Sequence, residues 1–154
     1  DAAIHFGLPH WPGTELIFLM HEKVIPVCSP AFKERHGLTR PENLLHVPLL
    51  HMTTRPDAWE QWFRSHDVDF DNVHGMLFDQ FTTIAEAASA GVGASLIPSF
   101  MIEEEIGSGR LVAAVAGQVE SEEAYYLACM PDRAGYPPLD SFRDWIVSQA
   151  AIGR

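Results

Sequence analysis

Cys28 and His51 are the side chains best suited to nucleophilic chemistry in a chain with two cysteines and eight histidines. A cysteine nucleophile needs a histidine base, and a helix N-terminus close by lowers a thiol pKa. Cys28, however, precedes the expected N-cap, Ser29, and ends an apolar strand pattern. These features favour a buried, inert thiol. A thiol hydrolase that uses Cys28 and His51 is kept as an alternative.

The spacing of the histidines and cysteines does not predict a metal site. No H-x-x-x-H or H-E-x-x-H occurs, and His5 and His10 straddle a proline turn. Cys28 and Cys129 lack ligand spacing, so reduced thiols are expected, with one long-range disulfide as the alternative. The segment "GVGAS" at 91–95 lacks most of a phosphate-binding G-x-G-x-x-G and precedes a strand instead of a helix. We therefore expect no metal and no cofactor.

The composition indicates a globular, acidic protein of ordinary domain size. Of the 154 residues, 47% are apolar and 20% are charged, and the net charge is −11. Such a surface repels phosphate backbones, so we do not expect this chain to bind nucleic acid by itself. No apolar run approaches the roughly 20 residues that cross a bilayer, and no leader pattern opens the chain. A cytoplasmic location without membrane contact is expected.

Alternating strand and helix patterns predict an α/β fold with a mostly parallel sheet. Ser29 and Pro30 have the types expected at the start of a helix, and Gly37 suits its end. Thr39 and Glu42 have the spacing of a capping box. Strands are expected at 1–7, 15–28, 47–51, 75–81, 93–98, 110–117 and 122–131, and helices at 30–37, 41–45, 57–66, 82–91, 99–109 and 137–151.

Two helices have apolar positions that recur at helical spacing. Trp59, Trp62 and Phe63 fall on one face of the helix at 57–66. The last helix has one apolar stripe, which consists of Leu139, Phe142, Ile146 and Ala150. Both faces are expected to pack into a core.

Ligand contacts are expected where strands end. In open α/β sheets, ligands bind at the carboxyl ends of strands, beside helix N-termini whose free amides favour anions. A small anion is expected near the helix start at Thr82, and near Ser29 if that helix start faces the same cleft. For His51 a second interpretation stays open, a strand-end histidine satisfied by the backbone. The candidate segments are His5, Phe6 and Gly7; His51, Met52 and Thr53; and Phe78, Asp79, Gln80, Phe81 and Thr82.

The chain begins inside a strand pattern and leaves few strands for the part that holds residues 1–27 and 113–154. From this we expect a first lobe that is incomplete because an N-terminal segment is missing.

The order of several motifs resembles the effector-binding domain of LysR-type transcriptional regulators, in the subgroup typified by the glycine-cleavage activator. The motifs are "DAAIHFG", "PVCSP", "LLH…PDAWEQWF", "AASAGVGASLIP", "GRLV", "YYL" and "FRDWI". They cover nearly the whole chain. Each motif is weak alone, and their series in this order carries the resemblance.

The resemblance implies a periplasmic-binding-protein-like fold, with two Rossmann-like lobes joined by a two-strand hinge and a ligand cleft between them. The first lobe would hold residues 1–27 and 113–154, and the second 28–112. A winged helix-turn-helix DNA-binding domain would lie outside this chain. The hinge would contain Pro26, Val27, Cys28, Leu111 and Val112.

In function, the resemblance implies a non-catalytic sensor. A small polar or anionic effector would contact His5, Phe6, Gly7, His51, Asp79, Gln80, Phe81 and Thr82, without a cofactor. Lobe closure would then shift the population of oligomeric states of the full-length protein, which would be a homodimer or a homotetramer. This shift would in turn change its DNA binding. A periplasmic solute-binding protein of a transport system is the alternative.

Overall fold

The computed structural model describes residues 2–133 and 135–152. Within these ranges the strands are β1 (Ala2–Gly7), β2 (Glu15–Cys28), β3 (Leu49–Met52), β4 (Gly75–Phe78), β5 (Ala94–Pro98), β6 (Val112–Ala113) and β7 (Val119–Cys129). The α-helices are α1 (Pro30–His36), α2 (Ala58–Ser65), α3 (Phe81–Ser89), α4 (Glu103–Gly107) and α5 (Pro137–Ile152). Short 3₁₀ helices cover Pro41–His46, Ser99–Met101 and Pro131–Arg133. None of the helices in the described ranges has the length and apolar character needed to cross a bilayer.

The chain divides into two compact units. The first unit contains residues 1–22 and 120–154, and the second contains residues 23–119. The division falls within β2 and at the start of β7, whereas the sequence placed the lobe bounds at 27/28 and 112/113. The lobes expected from the sequence stay a prediction.

The second unit is built on a sheet that mixes both strand directions. The end of β2 pairs antiparallel with β5, and Val27 lies opposite Ser95. β5 and β4 both pair parallel with β3. Since β2 also pairs antiparallel with β6, the expectation of a mostly parallel sheet was wrong. β6 is only two residues long, because its neighbours Ala114 and Val115 leave the strand and enter the core.

Two hydrophobic clusters form the core of the second unit. The expected face of α2 is buried, and Trp59, Trp62 and Phe63 pack with Phe32 of α1 and Leu49 of β3. The second cluster joins α3 to β3 and β5, and includes Ile84, Ala88, Leu50, Met52 and Ile97. Leu49 and Leu50 are adjacent in a strand, so they point to opposite faces and belong to different clusters.

The first unit is built on β1, β7 and the first part of β2. β1 pairs antiparallel with β7, and β7 neighbours β2. Leu139, Ile146, Val147 and Ala150 of α5 pack against Leu19, Leu127 and Cys129. Phe142, which the sequence placed on the same stripe, is 40% exposed and contacts Trp145 instead. That part of the prediction was wrong because the buried stripe continues through Val147.

The local signals at α1 are confirmed. The backbone N–H of Phe32 donates to Oγ of Ser29 over 3.2 Å, and Gly37 ends the helix in the left-handed region at φ 59°. The capping box predicted for Thr39 and Glu42 was wrong. Oδ1 of Asn43 instead accepts from the backbone N–H groups of Thr39 and Arg40, at 3.1 and 2.9 Å.

Candidate ligand-binding site

The parallel pairing of β3 and β4 brings two of the expected ligand segments together. Met52 lies opposite Phe78, and the backbone N–H of Thr53 donates to the carbonyl of Phe78 over 2.8 Å. The segments that begin at His51 and at Phe78 therefore meet at the same edge of the sheet in the second unit.

α3 begins directly at this edge. Its N-cap, Gln80, has an extended backbone, and its side chain makes no capping hydrogen bond. Asp79, Gln80 and Thr82 are exposed, and Phe81 is half-buried. The first-turn amides and the positive end of the helix dipole favour a negative group here. Asp79 opposes that preference with its own negative charge.

Arg55 is a residue at this edge that the sequence analysis missed. Its guanidinium lies 5.7 Å from the centre of the Phe81 ring, and Nη1 donates to the carbonyl of Thr54 over 3.2 Å. A cation here complements the helix start in favouring an anionic ligand. The available signal was its position three residues after the end of β3.

His51 lies beside this edge but is buried under its neighbours. It is 7% exposed, and its Nε2 has no hydrogen-bond partner among the residues that the structure describes. A Cβ at Gly75 would lie 2.6 Å from the Cδ2 atom of His51, so the imidazole packs on the backbone of β4. Burial lowers the pKa of His51; a backbone hydrogen bond with His74 opposes that shift, and the charge of His74 adds to it. A neutral imidazole with one unpaired nitrogen results.

His5, Phe6 and Gly7 lie at the end of β1, in the first unit. The ring of Phe6 lies 4.9 Å from that of Tyr125, and the ring of His5 lies 4.8 Å from that of Trp11. The imidazole of His5 also folds over Gly7, where a Cβ would come within 2.7 Å of Nε2. Only glycine fits beside His5 in this arrangement.

Tyr125 and Glu22 form a polar pair next to Phe6 that the sequence analysis missed. The Tyr125 hydroxyl donates to Oε1 of Glu22 over 2.7 Å, and Glu22 is 1% exposed. Phe6, Tyr125 and Glu22 come from the neighbouring strands β1, β7 and β2. No sequence signal was available, because 103 positions separate the pair.

The five expected hinge residues lie together inside the second unit. Cys28 lies opposite Val112 in the pairing of β2 with β6, and the N–H of Ala114 donates to the carbonyl of Pro26 over 2.8 Å. Val27 and Leu111 are buried in the same cluster. The pairing joins the two predicted segments, and their role as a hinge stays a prediction.

Cys28 has the properties of a packing residue. It is fully buried in the cluster that contains Phe32 and Trp59, and burial raises the pKa of its thiol to about 11. A thiol in that state is protonated near neutral pH and is a poor nucleophile. In the described ranges, no group of three or more His, Cys, Asp or Glu side chains is arranged to hold a metal ion.

Residues 1–151 match the family described as the LysR substrate binding domain. The glycine cleavage system transcriptional activator of Escherichia coli K12 is 35% identical over 153 residues, which cover 98% of this chain and 50% of that protein. The transcriptional activator AmpR of Rhodobacter capsulatus is 36% identical over 151 residues, with coverage of 98% and 51%. The chain thus spans about half the length of the curated relatives it matches.

The solved structures agree with the sequence matches. The effector domain of AmpR from Pseudomonas aeruginosa aligns with a TM-score of 0.89 and 29% identity, over 99% of this chain and 73% of that one. The AmpR effector binding domain from Citrobacter freundii gives 0.85 and 27%, with coverage of 98% and 74%. The α/β fold class is confirmed, and relatives named as transcriptional regulators confirm the prediction of a non-enzyme. The chain belongs to the LysR substrate-binding domain family.

Proposed function

We propose that this chain senses a small polar or anionic metabolite and thereby controls DNA binding and transcription by a LysR-type regulator. The observation that carries the proposal is the match of 99% of the chain to the effector domain of AmpR, at a TM-score of 0.89. A solute-binding protein of a transport system is not favoured, since the named relatives are transcriptional regulators.

The proposed effector contacts lie in both units. In the second unit they are His51, Asp79, Gln80, Phe81 and Thr82, to which we add Arg55. In the first unit they are His5, Phe6 and Gly7, to which we add the pair of Tyr125 and Glu22. The uncapped start of α3 and the guanidinium of Arg55 support an anionic group on the effector. No cofactor is needed for this recognition.

The rest of the mechanism belongs to the full-length protein. We propose a cytoplasmic homodimer or homotetramer in which DNA is bound through a separate winged helix-turn-helix domain. The paired segments at Pro26–Cys28 and Leu111–Val112 would act as the hinge. An effector that binds one state better than the other shifts the population of states, and so the position of the DNA-binding domains.

The proposal is tested by thermal-shift screening of the full-length protein against amino acids and small organic acids. A true effector raises the unfolding midpoint and changes the retardation of promoter DNA in gels. The same compound is then tested on Thr82→Val and Arg55→Gln, with Thr39→Val as a matched exposed control. Loss of the shift in the first two variants alone supports the site, whereas equal shifts in all three variants contradict it. If no compound class raises the midpoint, the sensing function is wrong.

A further inference from the structure

A cavity lies at the carboxyl end of α3. It has a volume of about 410 Å³, and three segments line it: the start of α1, the end of α3 and the turn before β6. The lining residues that matter here are Ser29, Arg35, Ser89, Gly91, Gly109 and Arg110. We refer to it as the distal cavity.

The distal cavity and the proposed effector edge lie at opposite ends of the strands in the second unit. β3 and β5 run parallel, and β2 runs antiparallel to β5. The chain therefore leaves β2 at Ser29 beside the amino ends of β3 and β5. Thr82, in contrast, follows the carboxyl end of β4, which runs parallel to β3. The nine residues of α3 separate the two places by about 13 Å. The two places are distinct sites.

Two guanidinium groups border the distal cavity. Arg35 is exposed and has no hydrogen-bond or ion-pair partner among the described residues. Arg110 uses Nη2 to contact both carboxylate oxygens of Glu86 at 2.7 Å, and its other nitrogens donate to no described group. The hydrogen bond with Glu86 raises the pKa of Arg110, and the negative charges of Glu105 and Glu104 add to this shift. Donors on both arginines thus remain available to a ligand.

Two hydroxyl groups in the cavity lining have unused hydrogen-bonding capacity. Oγ of Ser89 is inaccessible to solvent and has no partner in the described part of the chain, so it can donate into the cavity only after its side chain rotates. Ser29 is 7% exposed, and its Oγ accepts from Phe32, which leaves its proton without a described acceptor. Gly91 keeps the space beside it open, since a Cβ there would lie 3.3 Å from Oγ of Ser29.

This combination of groups identifies the ligand class. Two guanidinium groups repel a cation, and an apolar ligand would leave their free donors and the hydroxyl proton of Ser29 unpaired. An oxyanion instead accepts hydrogen bonds from guanidinium and hydroxyl donors together. We propose that the distal cavity is a second binding site for a small oxyanion, a phosphate or carboxylate group, that is separate from the effector edge.

The test uses hydrogen–deuterium exchange of the full-length protein in millimolar phosphate, in acetate, and in chloride at matched ionic strength. The site predicts saturable protection in peptides that contain 89–91 and 109–110, in phosphate, acetate or both, and the stronger anion identifies the source. Protection at 79–83 alone, or in neither place, overturns the proposal. Because the probe is a simple anion, a failure here is separate from a failure to find an effector.

Variants assign the protection to the two arginines. Arg35→Gln is expected to weaken binding roughly tenfold, and Glu86→Gln, which removes the negative charge paired with Arg110, to strengthen it. Arg64→Gln is the control for loss of an exposed arginine charge, because Arg64 is exposed, pairs with Glu60 at 2.9 Å and does not line the distal cavity. Arg110→Gln provides a second variant in case Arg35→Gln does not fold. Binding that is unchanged in the folded Arg35→Gln or Arg110→Gln variant, or weakened equally in Arg64→Gln, refutes the site.

Discussion

The hydroxyl of Tyr125 donates a hydrogen bond of 2.7 Å to the buried carboxylate of Glu22, and so joins β7 to β2 within the first unit. Tyr125→Phe removes this bond and leaves a buried carboxylate with one partner fewer. We expect a loss of about 1–3 kcal/mol in the free energy of unfolding, measured in urea. Tyr126→Phe is the control, because the hydroxyl of Tyr126 has no hydrogen-bond partner among the described residues. Equal losses in both variants would contradict the role of the pair.

Trp59 and Trp62 provide a matched comparison on α2. Both are almost fully buried, but Nε1 of Trp59 donates to the carbonyl of Leu50 over 2.9 Å, whereas Nε1 of Trp62 has no partner within the described part of the chain. Trp59→Phe therefore loses a hydrogen bond, and Trp62→Phe removes an unpaired donor. We expect Trp59→Phe to be less stable than Trp62→Phe by about 1–2 kcal/mol in denaturant unfolding. The opposite order would show that packing differences dominate at these positions.

Gly37 tests backbone conformation without steric crowding. Its φ is 59°, and a Cβ added there would meet nothing within 4 Å. Gly37→Ala is expected to cost about 1–2 kcal/mol because alanine is disfavoured in the left-handed region. Gly37→Asn is the control and is expected to lose less, since asparagine tolerates this region. Thermal unfolding of the two variants measures the difference, and equal midpoints would argue against the backbone explanation.

His51 makes the stability depend on pH. Burial lowers the pKa of His51, so the folded protein binds the proton more weakly than the unfolded chain does. In the unfolded chain the pKa of a histidine is about 6.5. The unfolded state therefore takes up more protons as the pH falls below that value, and this contribution to stability is lost. We expect wild type to lose more stability than His51→Gln between about pH 7.5 and about pH 5.5. His10→Gln, in an exposed loop, is expected to follow wild type, and identical pH profiles for wild type and His51→Gln would refute the assignment.

Cys28 is expected to react slowly with thiol reagents. It is fully buried with a pKa raised to about 11, whereas Cys129 lies at 9% exposure. In native conditions, dithionitrobenzoate is expected to label Cys129 before Cys28, and denaturant to make both rates fast. Rapid labelling of Cys28 in the folded protein, with loss of a hydrolytic activity, would revive the thiol hydrolase alternative.

Local sequence patterns predicted most helices and strands, whereas contacts between residues far apart in the sequence were not predicted. The cap at Ser29 and the buried face of Trp59, Trp62 and Phe63 depend on residues within a few positions of one another, so the sequence contains the whole signal. The edge formed by Thr53 and Phe78 followed from the rule that parallel strands end together.

The wrong and missing predictions concern contacts that local sequence patterns do not determine. Whether Phe142 is buried depends on which side of α5 meets β2 and β7, and helical spacing allowed two neighbouring stripes. Asn43 replaced the predicted capping box because a short amide side chain reached both free N–H groups. The contact between Arg55 and Phe81 depends on how the loop after β3 meets the start of α3. Pairs such as Tyr125 and Glu22 depend on strand order and register, which composition and periodicity do not specify.

β2 runs without interruption from Glu15 to Cys28, although its residues belong to both compact units. Because successive side chains point to opposite faces, inserting or deleting one residue in β2 would turn every side chain beyond the change to the wrong face. Leu19, near one end, and Val27, near the other, could not then both remain in their clusters. The strand therefore does not tolerate single-residue changes in length. We expect length differences among related chains to occur in the loop at 8–14 instead.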